Sequence, residues 1–308
     1  MATIYTDIPN NWSELEPYVN KGKFNEDVFT KKMCIFYDTC SFRYHANMKF
    51  KNVAPLLAYI KEQDGILIIT QCILMELASH SGTLNHEYIQ YCKTISLSGL
   101  NLYVIHEEDI FSVMETCFST NASINSFLLW SVRMAKAPIS TITKTLDENK
   151  ALNDMVMKGQ NLNRSGLYEH FFSAVRANKV SGDQLGEELL GICMHILSQL
   201  PGEEDGKFCI MTDDKGAAGK IDALFRKTNR QFQGKRIIIF STPKLAQILY
   251  EENYITAEET LIETLHFSGN ANIKVLGTQI YDLKSHEISL SCKEAAEQII
   301  NKCIHIIF

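Results

Sequence analysis

Lys32-Met33-Cys34-Ile35-Phe36-Tyr37-Asp38-Thr39-Cys40-Ser41-Phe42 is the stretch on which the fold of this chain turns. Its apolar run behind a basic flank predicts a strand buried on both faces, the pattern of a parallel α/β sheet. Asp38 falls where that strand gives out. Open parallel sheets take their ligands outside the carboxyl ends of their strands, so a carboxylate there can hold a cation or accept a proton. A strand-end Asp also opens turns and caps helices. What Asp38 means therefore depends on what else the chain brings to the same edge.

After this strand, Val53, Leu56, Leu57 and Ile60 keep helical spacing over 53–63, Asp64-Gly65 turns the chain, and Ile66-Leu67-Ile68-Ile69 forms a second apolar run. Strand, helix and strand at this separation predict a βαβ unit with a right-handed crossover. Thr70 is placed to cap the next helix, over 71–78. The only acid of that helix is Glu76, at the border of the apolar stripe formed by Ile73, Leu74, Leu77 and Ala78. A helix over 88–97 leads to a third strand, Leu102-Tyr103-Val104-Ile105. From Glu107 to about Val180 apolar residues recur only at helical spacings, with Pro138 as the clearest breaker, which predicts a helical insertion.

The strand pattern then resumes. Asp183, Glu187 and Glu188 stand at the head of an apolar helix that ends at Pro201-Gly202, where acids suit the helix dipole. Phe208-Cys209-Ile210-Met211 is a fourth strand, and it delivers Thr212-Asp213-Asp214. Residues 215–236 hold Lys215, Lys220, Arg226, Lys227, Arg230, Lys235 and Arg236 against Asp222, either a solvated helix face or a phosphate-facing patch. A fifth strand over 236–240, Ser241-Thr242-Pro243 and a helix over 244–251 complete the sheet. The tail predicts a helix from Thr256, a strand pair over 272–281 and 286–292, and a helix over 293–303. The expected division is an N-terminal arm (1–31), the two halves of the α/β core (32–106 and 181–250), the helical insertion between them (107–180), and a C-terminal α+β appendage (251–308).

The composition, 45% hydrophobic and 21% charged over 308 residues, is that of an ordinary globular protein of one elaborated domain or two modest ones. A formal charge of −6 gives no global attraction to nucleic acid, so any such contact must be local. The nine cysteines show no zinc spacing and suit a reducing compartment. The N-terminus lacks a basic and apolar leader and no run approaches a membrane span, which together lead to the expectation of a cytoplasmic protein away from the membrane.

Asp38, Glu76, Glu187 or Glu188, and Asp213 with Asp214 all belong to the carboxyl edge of such a sheet. Like charges gathered there call for a counter-charge. Oxygen ligands without a His or Cys cluster favour Mg²⁺ or Mn²⁺. A site of this kind suits phosphodiester hydrolysis, in which the ion activates water and neutralises developing charge.

These elements resemble the PIN-domain nucleases. The resemblance lies in Tyr37-Asp38-Thr39-Cys40-Ser41 after the first strand, Thr70 through Glu76-Leu77 after the second, and Gly186-Glu187-Glu188-Leu189-Leu190 heading the late helix. Met211-Thr212-Asp213-Asp214 and Ile239-Phe240-Ser241-Thr242-Pro243 complete it. It covers roughly residues 32–106 and 181–250. It implies an α/β fold of the PIN-like, FEN or Rossmannoid kind, a parallel sheet flanked by helices. It also implies a metal-dependent endoribonuclease acting on single strands, RNA rather than DNA, with Asp38, Glu76, Glu187 and Asp214 as catalytic carboxylates. Glu188 and Asp213 stand beside them as further metal ligands. Asp214 is preferred to Asp213 as the residue two after Thr212, and Glu187 to Glu188 because it follows Gly186. Lys215, Lys220, Arg226, Lys227 and Arg230 would face nucleic acid.

In the later insertion, Arg164, Tyr168, His170, Phe171, Arg176 and Lys179 are types that contact phosphates or stack on unpaired bases. The insertion could also serve a homo-oligomer or a regulatory protein partner. A phosphatase of the haloacid-dehalogenase kind would need an Asp at position 40, where Cys40 stands. A PIN-like module that binds nucleic acid or protein without cutting is the alternative from another class.

Overall fold

A computed structural model describes residues 5–78, 81–228, 233–266 and 270–308. The arm holds α1 (Trp12–Leu15) and α2 (Phe24–Thr30). The first half of the core runs β1 (Met33–Tyr37), α3 (Thr39–Asn47), α4 (Phe50–Glu62), β2 (Gly65–Thr70), α5 (Gln71–Ala78), α6 (His86–Leu97) and β3 (Leu102–Ile105). Five helices follow: α7 (Ile110–Glu115), α8 (Asn121–Ala135), α9 (Thr141–Glu148), α10 (Lys150–Lys158) and α11 (Leu167–Ala177). The second half runs α12 (Leu185–Leu197), β4 (Phe208–Met211), α13 (Lys215–Thr228), β5 (Ile238–Phe240) and α14 (Thr242–Glu251). The tail holds α15 (Glu258–Leu265), β6 (Asn272–Gln279), β7 (His286–Ser291), α16 (Cys292–Ile300) and β8 (Ile304–Ile306).

The main sheet has the order β3-β2-β1-β4-β5, and every pairing in it is parallel. The chain builds outward from β1 to β3, then returns to the other side of β1 for β4 and β5. The strand order therefore reverses between β1 and β4, where a doubly wound sheet opens a crevice at its carboxyl edge. Asp38 follows β1 and Thr212 follows β4, so both border that reversal.

Alternation along the buried strands divides the core in two. Ile35, Tyr37, Leu67, Ile69, Cys209 and Met211 face a layer that includes α4, α6, α14 and the tail residues Leu261, Val275 and Ile299. Cys34, Phe36, Ile66, Ile68, Phe208 and Ile210 face the other layer, α12 and the insertion helices. Neither the insertion nor the tail is closed around a core of its own. Each covers one face of the same sheet, and each large apolar side chain sealed there contributes about 1.5–3 kcal/mol.

Four expectations need correction. Thr70 belongs to β2 and its buried hydroxyl has no partner among the described residues, so it does not cap α5; the Glu107 carboxylate does, accepting the Cys72 N–H at 2.8 Å. β5 is shorter than predicted, starting at Ile238. The tail is a three-stranded antiparallel sheet of order β7-β6-β8, and β8 was not foreseen. In the insertion, Tyr168 and Phe171 are core residues, and Arg176 and Lys179 are buried in ion pairs, so these four do not face a nucleic acid. Arg164 and His170 remain exposed.

Candidate functional site

Asp38 is 5% exposed and caps the N-terminus of α3. Its Oδ1 accepts the Thr39 N–H at 2.8 Å, and its Oδ2 accepts Thr212 Oγ1–H at 2.8 Å and Cys40 Sγ–H at 2.9 Å. Burial pushes its carboxyl above the usual range and the charge of Glu76 adds to this, while the hydrogen bonds from Cys40, Thr212 and Thr39 pull the other way. Cys40 itself is raised by burial and by Asp38, the opposite of the depressed pKa that activates a nucleophilic thiol.

Glu76 is carried by α5, whose start is fixed by Glu107. Glu107 is fully buried and is matched by Arg176, 4% exposed on its side chain, which donates to Glu107 at 2.5 Å and to Glu108 at 2.6 and 2.7 Å. The insertion thus anchors the element that presents Glu76. The Glu76 carboxylate accepts Thr39 Oγ1–H on Oε2 and Lys179 Nζ–H at 2.8 Å on Oε1. Lys179 also donates to Asp183 at 2.6 Å. Burial opposes the ammonium, but Cys72 and the carboxylates of Glu76 and Asp183 outweigh that and hold its pKa above the usual lysine range. The first turn of α12 lies against this carboxylate: a Cβ on Gly186 would stand 2.6 Å from Glu76 Oε1.

Glu187 follows on α12. Its Oε2 accepts Lys220 Nζ–H at 3.1 Å from α13, and its Oε1 has no hydrogen-bond partner among the described residues. Burial raises its carboxyl, Lys220 lowers it, and the charges of Asp214 and Asp38 raise it further. Glu188 forms no ion pair among the described residues, and burial carries it up to about 7. It borders both a cleft of about 660 Å³ beside Ile139, Lys144 and Asp183 and a smaller one of about 180 Å³ lined by Glu187, Lys220 and Lys227.

The two acids after β4 have different work. Asp213 is a strut: its Oδ2 accepts Ser41 Oγ–H at 2.5 Å and Thr242 Oγ1–H at 2.7 Å, and its Oδ1 accepts the Thr242 N–H at 2.6 Å. Thr242 meets His45 at 3.1 Å, and His45 meets Tyr37 at 2.9 Å, so this polar chain continues into the core. Asp214 is exposed and caps α13, its Oδ1 accepting the Gly216 and Ala217 N–H groups at 2.6 and 3.1 Å. Its Oδ2 is without a hydrogen-bond partner among the described residues.

Three residues of the basic run are paired. Lys215 meets Glu287 at 2.9 Å, Lys220 meets Glu187 and Gln184, and Arg226 meets Asp222. Lys227 lines the smaller cleft, and Arg230 lies outside the described residues. Exposed pairs of this kind are each worth about 0–1 kcal/mol, so a phosphate can displace them at little cost. Lys179 and Glu107 carry much of the site's organisation; Glu107 was missed, and Lys179 was expected to meet substrate rather than to hold Glu76. The i,i+4 spacing of Lys179 and Asp183, and an acid two residues after β3, were the signals in the sequence.

As a site for a hard divalent cation, the donor set fits in kind. It is made of carboxylate oxygens, and Asp214 Oδ2 and Glu187 Oε1 are uncommitted. In arrangement the side chains must still draw together, since among the described residues no three His, Cys, Asp or Glu groups are placed to hold one ion as they stand. No helix among the described residues is long and apolar enough to cross a membrane. No family model, curated protein or solved structure matches the chain, and what can be said of its function comes from the site itself.

Proposed function

We propose that the chain is a metal-dependent nuclease of the PIN-like kind, an endoribonuclease that hydrolyses phosphodiester bonds in single-stranded RNA. The observation that carries this reading is the gathering of Asp38, Glu76 and Glu187 around the reversal of strand order, with Asp38 and Glu76 joined through the one residue Thr39. Asp38, Glu76, Glu187 and the open oxygen of Asp214 would hold Mg²⁺ or Mn²⁺. When bound, the ion lowers the pKa of the attacking water and neutralises charge on the phosphate.

The chain's own residues prepare this. Thr212 and the Thr39 N–H fix the two oxygens of Asp38, Thr39 and Lys179 fix those of Glu76, and Lys220 sits half-exposed on the rim, where it can leave Glu187 for a phosphate. Asp213 holds β4 to α14 and is a supporting group in this scheme.

Asp38→Asn tests the proposal. The amide oxygen can still accept hydrogen bonds, so the fold should persist while Mg²⁺-dependent cleavage of a labelled single-stranded RNA is lost. Wild-type turnover by this variant would remove Asp38 from the mechanism.

A second reading, a module that binds nucleic acid without cutting it, is favoured by one feature: Glu76 and Glu187 each already have a lysine partner. Retained RNA binding without cleavage in the wild-type chain, across Mg²⁺ and Mn²⁺ concentrations, would select it.

A further inference from the structure

We propose that the small cleft between α8, α12 and α13 is a subsite for one unpaired guanine of the substrate strand, with Glu188 and Gln184 reading its Watson–Crick edge and Lys220 and Lys227 meeting the phosphates beside it. This rests on the nucleic-acid part of the reading above and names the base preferred beside Glu187.

The cleft holds about 180 Å³, short of the roughly 300 Å³ at which pockets for drug-sized ligands begin, and so suits a single ring system. Met134, Ile221 and Leu224 give it apolar walls, on which the face of an unstacked base can lie. Glu187 and Lys220 line it as well, so it adjoins the place where the strand would be cut. The larger cleft also borders Glu188, but there Asp147, Glu148 and Asp183 stand against the one cation Lys144, a balance that repels phosphate.

Gln184, the N-cap of α12, and Glu188 four residues on share one face of the helix. The Glu188 carboxylate has no hydrogen-bond or ion-pair partner among the described residues, so both its oxygens are free to accept. Gln184 Oε1 is taken by Lys220 Nζ–H, which leaves its Nε2–H₂ group to donate. Two acceptors beside a donor match guanine, whose N1–H and N2–H₂ stand side by side next to the O6 acceptor; no other RNA base pairs two adjacent donors on that edge. Lys220 has spent two of its three N–H groups, on Gln184 and Glu187, and Lys227 forms no ion pair among the described residues, so both can meet a phosphate. The same two cations repel the other ligand an acidic cleft invites, a basic side chain, and favour a donor edge that arrives with phosphates attached.

The experiment measures binding of the full-length chain by fluorescence anisotropy to a short oligouridine, to the same strand with one central guanine, and to the same strand with inosine, which keeps N1–H and O6 but lacks the N2 amino group. Titrations are run at pH 8 in EDTA and again with Mg²⁺ on strands shown to be intact afterwards. The guanine strand should bind the wild type at least about tenfold more tightly than oligouridine, with the inosine strand between them. Glu188→Gln turns one acceptor into a donor and should abolish the difference, as should Ala223→Phe, which fills the cleft from α13. If Ala223→Phe does not fold, Ala135→Leu fills the same cleft from α8. Equal binding of the guanine strand and either of the others by the wild type, or a guanine preference that survives in Glu188→Gln or in the folded filled variant, overturns the proposal and leaves the nuclease reading standing. No binding of any of these strands in either buffer overturns the nucleic-acid reading itself, and the proposal with it.

Discussion

Glu188 shows how burial, more than any one neighbouring charge, shifts a carboxyl. Its carboxyl is raised to about 7, chiefly by burial, while among the described residues Lys220 and Lys179 pull it down from beyond ion-pair distance. An acid whose pKa is higher folded than unfolded binds more protons in the folded state between those two values. Its contribution to stability is therefore lost as pH rises from about 4.5 to about 7. Glu188→Gln should leave the metal-free chain unchanged at pH 4 and stabilise it at pH 8. Because the side chain is partly solvated, the gain is set at about 1 kcal/mol, well below what the full shift would give. Thermal melts of the EDTA-treated protein at the two pH values measure this. Equal effects at both would mean that the carboxylate is not destabilised by its surroundings. Glu188 and Lys179 also mark what a sequence conceals at this scale. An acid heading an apolar helix is visible, but its desolvation depends on the helices packed over it. Lys179 pairs with Asp183 four residues on, but its other partner, Glu76, lies 103 residues away on another element.

At the scale of elements, α12 is read easily from its apolar run, yet its most consequential residue carries no side chain. Gly186 lets the first turn of the helix lie against the Glu76 carboxylate, where a methyl group would stand 2.6 Å from Oε1. Ala is favoured over Gly by about 1 kcal/mol in a helix interior and by less in a first turn, so Gly186→Ala gains some intrinsic helix stability while forcing the Glu76 carboxylate off Lys179 and Thr39. The expected result is a melting temperature within about 2 °C of wild type together with at least about a tenfold loss of cleavage. An unchanged cleavage rate would show that Glu76 does not need its present position. The sheet was legible for the opposite reason. The runs Met33–Tyr37 and Phe208–Met211 are buried on both faces and must be apolar throughout, which few other elements imitate. β8 escaped because a strand of three residues has no room to display alternation. The cap of α5 was assigned to Thr70, the residue beside it, because an acceptor brought from beyond β3 leaves no mark near the helix it serves.

At the scale of the molecule, the insertion and the tail cover opposite faces of one sheet, and the insertion also supplies Lys179 and Arg176 to the carboxyl edge. Ion binding there should therefore stabilise the whole fold. A ligand that binds only the folded state at a hundred times its dissociation constant adds about 2.7 kcal/mol, which for a chain of this length corresponds to about 4 °C in melting temperature. The carboxylates make the shift specific. Asp38, Asp213 and Glu187 are all raised by burial, with other acids adding to the rise, so a divalent ion relieves a cost already present in the folded chain. Adding Mn²⁺ to the EDTA-treated protein should raise its melting temperature, while KCl at equal ionic strength should not. Asp38→Asn should lose most of the gain because it removes a charged ligand without opening a cavity. An equal rise in wild type and variant would trace the stabilisation to surface acids such as Glu258 and Glu259, and the carboxyl edge of the sheet would then not be the place where the ion binds.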